Sequence, residues 1–432
     1  MRDLLLIVLL GGGSLYALYR PWVGAMLWTW ISLMSPHVIF GYATAGYPFG
    51  LLTALTTLLG LLLTRDRRNP FHGAATGLLF VFVAYTTITL PFSIYFDLSY
   101  DLWLRSFKIF AMLFVTMALI DSRLKMNVFI AVCASSVGFY GFKGGLFTLA
   151  TGGNYKVWGP GGFIEGNNEM SVALLMTVPL IRYLQMQMTN IWGQRLMTLW
   201  MLLCTVAVVG SYSRGALIGG AAMLLFFWLK GDRKTQWGLL LAGGVLFLLP
   251  LMPEQWWERM GTIQTYNSDD SATGRIDAWT MAFHLANDRF PFGGGFMVWT
   301  QELFTKYAPA APQNRAAHSI YFQILGEHGW LGLALFVGIG LSTWRAAAKL
   351  IKFSKSAPDL KWTGDLGRMV QVSLIGFAVG GAFLSLAYFD MPYNLVAMIA
   401  VAQFLGIQQL AAKTWPRAVG GSQAVVLSAH TG

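Results

Sequence analysis

Charged side chains are scarce in this chain of 432 residues. Asp, Glu, Lys and Arg make up 11% of it, whereas 56% of the residues are hydrophobic and the mean hydropathy is +0.55. A soluble domain of this size could not place so much apolar surface inside one core. The composition therefore argues against a soluble enzyme and predicts a membrane protein.

Cysteine and known ligand motifs are also sparse. Cys133 and Cys204 both fall in apolar segments, so no disulfide scaffold is indicated. The sequence has no His-Glu-x-x-His motif and no P-loop, and Asp269-Asp270 is a lone pair more typical of a solvated turn. We therefore expect no metal, no cofactor and no use of ATP.

The excess of positive charge is arranged in short clusters between apolar runs. A net charge of +11 could indicate nucleic acid binding, but no basic face is apparent, so we expect no nucleic acid partner. Each cluster is separated from the next by two apolar segments, so all of them can remain on the cytoplasmic side. The clusters are Arg65/Arg67/Arg68, Arg123/Lys125, Arg182 with Arg195, Lys230/Arg233/Lys234, and the basic residues from Arg345 to Arg368.

Hydropathy predicts an all-α polytopic protein of about twelve transmembrane helices, chosen from thirteen candidates of roughly spanning length. The candidates are 4–19, 23–40, 51–64, 75–95, 103–120, 128–149, 170–184, 196–210, 216–229, 237–251, 331–351, 370–388 and 395–410. The predicted organisation is an N-terminal bundle (1–252), a large loop with short amphipathic helices (253–317), closing transmembrane helices (318–412) and a cytoplasmic tail (413–432). In a bacterial inner membrane the large loop would face the periplasm.

His318 stands at the predicted boundary between this loop and the membrane. It opens the stretch HSIYFQILGEHGWLG, in which nine residues separate Ser319 from Gly329-x-x-Gly332. The dipole at a helix N-terminus opposes protonation of an imidazole and so favours the neutral form that accepts a proton. His318 is therefore a candidate general base, and the alternative is a structural hydrogen-bonding histidine.

Two arginines are candidates for binding an anion. Arg214, in SYSRGALIGG, lies on the side that the positive-inside rule leaves poor in arginine, and an arginine at membrane depth is costly unless it has a function. A guanidinium group can donate two parallel hydrogen bonds to phosphate oxygens. Arg275, in TGRIDAW, begins a helix predicted over 274–287. The alternatives are snorkelling for Arg214 and a solvated ion pair with Asp277 or Asp269 for Arg275.

Weaker candidates lie elsewhere on the same side. Arg105 and Lys108 share one helical face at the outer end of span 103–120, where they could extend a basic site or anchor headgroups. Asn168, in GPGGFIEGNNEM, could cap the next helix or contact a sugar. The run Gly293–Gly295 is more typical of a turn than of a phosphate-binding loop.

These residues together resemble a known family. The His318 motif, the SRGAL around Arg214 and the helix at Arg275 resemble the O-antigen ligase and polymerase superfamily of bacterial inner membranes. Ile218 stands where the family pattern often has Leu, a conservative departure. The N-terminal RPWVGAMLWTWISLMSPH is similar to O-glycosylation ligases associated with exosortase systems. The resemblance implies a glycosyltransferase-C-like membrane fold with its active site facing the periplasm.

The resemblance also implies a reaction. A glycan would pass from undecaprenyl pyrophosphate to an acceptor, commonly lipid A-core oligosaccharide, without metal or ATP. Arg214 and Arg275 would neutralise the pyrophosphate, and His318 would take the proton of the acceptor hydroxyl. Arg105, Lys108 and Asn168 would be further substrate-binding residues. A single displacement of this kind inverts the anomeric configuration.

Other functions remain open. A polymerase of the same superfamily would join two lipid-linked repeats, and a protein O-oligosaccharyltransferase would modify Ser or Thr. A transporter or flippase is the alternative from a different class. The candidate residues collect on one side of the membrane rather than at its middle, which favours an enzyme.

Overall fold

Helices make up all the regular secondary structure of this computed structural model, which describes residues 1–64, 67–230, 253–261 and 270–414. The helices before residue 231 are α1 (Arg2–Leu6), α2 (Gly12–Ala17), α3 (Pro21–Met34), α4 (Pro36–Ile39), α5 (Phe49–Leu63), α6 (Ala74–Thr89), α7 (Phe96–Leu119), α8 (Arg123–Ala150), α9 (Asn167–Met186), α10 (Ile191–Val209) and α11 (Arg214–Lys230). Those after residue 252 are α12 (Glu254–Gly261), α13 (Asp270–Asp288), α14 (Gln301–Tyr307), α15 (Ile320–Ser356), α16 (Lys361–Gly380) and α17 (Asp390–Thr414).

Seven helices of the described residues are long and apolar enough to cross a bilayer. They are Ala74–Phe92, Phe96–Leu119, Arg123–Ala150, Ile191–Val209, Ile320–Ser356, Pro358–Phe383 and Asp390–Ala411. The chain is therefore a multi-pass membrane protein with an all-helical fold. The count of about twelve spans stays a prediction: several candidates are shorter helices, such as Phe49–Leu63. Candidate 237–251 and most of the tail 413–432 lie outside the described residues.

The centre of the bundle is α17, in which every residue from 391 to 402 is buried. A helix that is apolar on all sides must be surrounded by others, because it has no face suited to water. Around it, small residues let helix backbones approach closely. A Cβ built on Gly145 of α8 would lie 2.2 Å from the Leu203 carbonyl oxygen of α10. Such close approach replaces the hydrophobic driving force that is missing between helices in lipid.

Two local predictions were wrong. The residues from 96 to 102 were expected to form a loop, but α7 begins at Phe96, so Arg105 and Lys108 lie within the helix rather than at its end. Asn168 does not cap α9, since the helix begins at Asn167 with Gly166 at the N-cap position. In both places the polar residues that suggested a loop are accommodated in the first turns of a helix.

The glycines of the His318 motif bend α15. Gly329 has φ 65° and ψ −168°, which divides the helix into a segment from Ile320 to His328 and a longer one that follows. That backbone region is essentially restricted to glycine. A Cβ on Gly329 would lie 2.2 Å from the Pro291 carbonyl oxygen, and one on Gly332 would lie 2.3 Å from the His328 Cβ. The glycine spacing therefore serves a kink and close packing.

The glycine run before α14 packs against this kink. The amide of Gly294 donates to the Gly326 carbonyl at 2.9 Å and that of Gly295 to the Glu327 carbonyl at 2.8 Å. Gly293 donates to the Arg289 carbonyl at 3.1 Å. Because these amides are already hydrogen-bonded within the protein, a phosphate-binding role is excluded, and the turn is the correct interpretation. These hydrogen bonds connect the segment before α14 to α15.

Candidate active site

His318 lies in the segment that connects α14 to α15, directly before the N-cap residue Ser319. Its backbone amide donates to the Ser385 hydroxyl at 2.9 Å, and its side chain is half-buried. The preceding residue is held by α13, because the Trp279 indole donates to the Ala317 carbonyl at 2.9 Å. Trp279 also stacks on Phe322 of α15, with ring centroids 4.8 Å apart. Helix α13 and the turn before α17 thus fix the position of His318.

Two arginines influence the charge of His318. Burial lowers the pKa of the imidazole, and the positive charges of Arg275 and Arg315 lower that pKa further. Arg315 can come close to α13 because residue 274 is a glycine: a Cβ there would lie 2.4 Å from the Arg315 Cδ. A depressed pKa keeps His318 neutral at neutral pH, so that it can accept a proton.

Arg214 is the first residue of α11. The turn before it is ordered by serines: the Ser213 hydroxyl accepts from the Ala216 amide at 3.2 Å. The side-chain amide of Asn167 donates to the Ser211 carbonyl at 2.6 Å. This bond ties the first turn of α9, which contains Asn168, to the turn that carries Arg214.

The first turn of α9 also connects to Arg275. Glu169, adjacent to Asn168, interacts electrostatically with the Arg275 guanidinium. The N-terminus of α9 therefore lies between the turn of Arg214 and the helix of Arg275, and it brings an amide side chain and a carboxylate to the same region.

A turn after α16 contacts both the helix that begins with Arg214 and the helix that follows His318. A Cβ on Gly215 would lie 3.2 Å from the Phe383 Cβ, and one on Gly381 would lie 2.9 Å from the Ile320 Cδ1. The residues from Gly381 to Phe383 thus contact both the start of α11 and the start of α15. Arg214, Arg275, Asn168 and His318 consequently stand on elements that meet at one end of the bundle. We call this the His318 end.

Arg105 and Lys108 line a cavity of about 690 Å³, whereas none of Arg214, Arg275 and His318 is among the residues of its wall. The Arg105 guanidinium lies 3.9 Å from the Phe163 ring centroid and interacts electrostatically with Asp390. The wall also includes the turn 160–164, which leads into α9. The structure therefore places these two residues beside the His318 end rather than within the group around His318.

Comparison with protein families gives two matches. Residues 199–337 match a family model described as O-antigen ligase. This segment, about a third of the chain, resembles the O-antigen ligase superfamily. Residues 1–189 match a family of unknown function. No curated protein matches the chain.

The resemblance inferred from the sequence is thus confirmed, and the candidate residues divide between the two matches. The segment matched to O-antigen ligase contains Arg214, Arg275 and His318. The weaker candidates Arg105 and Lys108, together with Asn168, lie in the other. The three residues nearest to the implied chemistry therefore come from the segment whose family is identified.

Sequence reasoning missed Arg315 and gave no role to Glu169. Arg315 precedes His318 by three residues, so its position in the chain was a usable signal. The electrostatic interaction between Glu169 and Arg275 had no such signal, because the two residues are far apart in the sequence. Among the described residues, no group of three or more His, Cys, Asp or Glu side chains could hold a metal ion. That the O-antigen ligase reaction needs no metal or cofactor stays a prediction.

Proposed function

We propose that this protein is an O-antigen ligase that transfers a glycan from undecaprenyl pyrophosphate to lipid A-core oligosaccharide. The observation that carries the proposal is the pairing of a proton acceptor with cations: His318, with its pKa depressed, is flanked by Arg275 and Arg315. The resemblance of residues 199–337 to the O-antigen ligase superfamily indicates a glycosyltransferase-like enzyme. We infer the specific donor and acceptor.

The proposed reaction is a single displacement. The acceptor hydroxyl oxygen attacks the anomeric carbon and gives its proton to the His318 imidazole. The bond between that carbon and the pyrophosphate oxygen breaks, and the leaving group departs with both bonding electrons. Arg214 and Arg275 neutralise the charge that develops on the pyrophosphate. The anomeric configuration inverts because the attack and the departure occur on opposite faces.

The remaining site residues bind substrate in this proposal. Asn168, at the start of α9, contacts the glycan or the pyrophosphate beside Arg214. Arg105 and Lys108 bind an anionic part of a substrate in the adjoining cavity. The His318 end faces the periplasm of the bacterial inner membrane, since Arg182, Lys230 and other cations lie at the opposite ends of their helices.

The test is transfer by the purified protein from undecaprenyl-pyrophosphate-linked glycan to lipid A-core, with EDTA present and no nucleotide. We expect His318→Ala to reduce the rate by about a hundred- to ten-thousandfold while the protein still folds, because only the proton acceptor is lost. The matched control is His284→Ala, which removes a histidine of α13 whose Nδ1 hydrogen-bonds the Tyr307 carbonyl at 2.8 Å. It should retain transfer.

The same assay separates the alternatives. Full transfer by His318→Ala would remove the general base from the proposal. Activity on a second lipid-linked repeat, but not on lipid A-core, would identify a polymerase. Modification of Ser or Thr in a supplied protein would identify an O-oligosaccharyltransferase.

A further inference from the structure

A second polar cavity lies at the other end of the bundle. It has a volume of about 710 Å³ and is formed by α9, α11, α15 and α16. The proposed glycan transfer makes no use of it. Its basic wall residues are Arg182, Lys230, Lys355 and Arg368.

Helix direction places this cavity far from His318. Helix α9 begins beside the site and reaches Arg182 in its last turns, and α11 begins at Arg214 and ends at Lys230. At 1.5 Å per residue these paths are about 20 and 24 Å long. Lys355 likewise lies in the last turn of α15, the helix that follows His318. We call the end of the bundle that carries Arg182, Lys230, Lys355 and Arg368 the basic end.

The wall of the cavity combines cations with aromatic and aliphatic side chains. Among the described residues that line it, none is acidic. Asp365 pairs with Arg368 but leaves the other three cations to dominate the charge of the wall. Phe226 and Trp344, which also line it, are apolar and lie nearer the middle of their helices than Lys230 and Lys355 do. The cavity therefore suits a ligand with an anionic group at one end and a hydrocarbon chain at the other.

We propose that the basic end binds an anionic phospholipid from the surrounding leaflet. Its phosphate meets the four cations, and an acyl chain lies against Phe226 and Trp344. Basic pockets between transmembrane helices bind anionic headgroups in this way. A soluble phosphate would use the cations but would leave the aromatic wall without a partner, which favours the lipid. Because the ligand touches four helices, it stabilises the folded bundle by linkage.

The test measures lipid binding by native mass spectrometry on the full-length protein in detergent, titrated with dioleoylphosphatidylglycerol or dioleoylphosphatidylcholine. The wild type should bind the phosphatidylglycerol in preference. The double variant Arg182→Gln/Lys355→Gln should bind it about thirtyfold more weakly, since each cation near a headgroup contributes about a factor of five. The charge-preserving Arg182→Lys/Lys355→Arg should restore binding.

The matched control is Lys349→Gln/Lys352→Gln, which removes the same charge from exposed positions of α15 outside the cavity wall. It should bind phosphatidylglycerol as the wild type does. An equal loss in the control and the cavity variant would show general attraction to the basic surface and overturn the site. Equal binding of the two lipids, or displacement of phosphatidylglycerol by millimolar inorganic phosphate, would overturn the lipid as its ligand. None of these outcomes depends on glycan transfer.

Discussion

His318 and His328 lie ten residues apart in one motif, yet the fold gives them different surroundings. His318 precedes α15 on a connecting segment, is half-buried, and interacts with the charges of Arg275 and Arg315. Its backbone amide donates to Ser385, and the structure shows no hydrogen bond from its ring to any other described residue. It is therefore suited to exchange a proton with a substrate.

His328 lies directly before the kink and is fully buried. Its Nε2 pairs with the Tyr388 hydroxyl at 2.8 Å, and its ring meets Phe296 edge to face with centroids 4.6 Å apart. The neighbouring Glu327 accepts hydrogen bonds from Tyr388 and, at 3.0 Å, from the Trp299 indole. These bonds join α15, the segment before α14 and the turn before α17. The comparison shows that one motif contains a candidate chemical residue and, ten residues later, a structural one.

The largest effect on stability is expected for Gly329→Ala. Alanine cannot adopt the backbone angles of the kink without strain, and its methyl group would meet the Pro291 carbonyl. We expect a loss of about 3 kcal/mol or more in the free energy of unfolding. Gly340→Ala is the matched control, because a Cβ on Gly340 meets nothing within 4 Å. Thermal unfolding in detergent measures both, and equal melting temperatures would show that the kink is not required.

A smaller effect is expected for Tyr388→Phe. This change removes the hydroxyl that hydrogen-bonds Glu327 and His328, so both buried side chains lose a hydrogen-bond partner. The expected loss of stability is about 1 to 3 kcal/mol. Transfer by the fraction that remains folded should be nearly unchanged. A large fall in turnover at full stability would place His328 in the chemistry and contradict the comparison. Tyr42→Phe, at a side chain 94% exposed, is the control.

The smallest effect is expected for Arg315→Gln, and it concerns pH. If neutral His318 is the base, transfer falls as the pH drops through its pKa, which lies below the ordinary value of 6.5. Removing the positive charge of Arg315 raises that pKa, so the acidic limb of the rate profile should move to higher pH. The midpoint of the acidic limb should remain below pH 6.5, because burial, the larger cause of the lowered pKa, is unchanged in this variant. Arg345→Gln, exposed in the second half of α15, should leave the limb in place. If the acidic limb does not move in Arg315→Gln, the charge of Arg315 does not influence the pKa of His318.

Hydropathy and motif spacing predicted much of the fold and part of the site. The apolar runs located most of the described helices, since burial in lipid depends on local composition. The helix ends were predicted less well: α7 begins seven residues before candidate 103–120, α15 begins eleven before candidate 331–351, and α16 begins nine before candidate 370–388. The candidates His318 and Arg275 were chosen on separate grounds, and the positive charge of Arg275 lowers the pKa of His318.

The sequence by itself determined an all-helical membrane protein with a segment that resembles the O-antigen ligase superfamily, and it supplied His318, Arg214 and Arg275 as candidate site residues. Only the tertiary structure decided which cations face His318 and which line other cavities. It also showed that Gly329 forms a kink and that Glu169 interacts electrostatically with Arg275. The reason is physical: hydropathy and periodicity are local properties, whereas contacts between residues a hundred positions apart arise from helix packing.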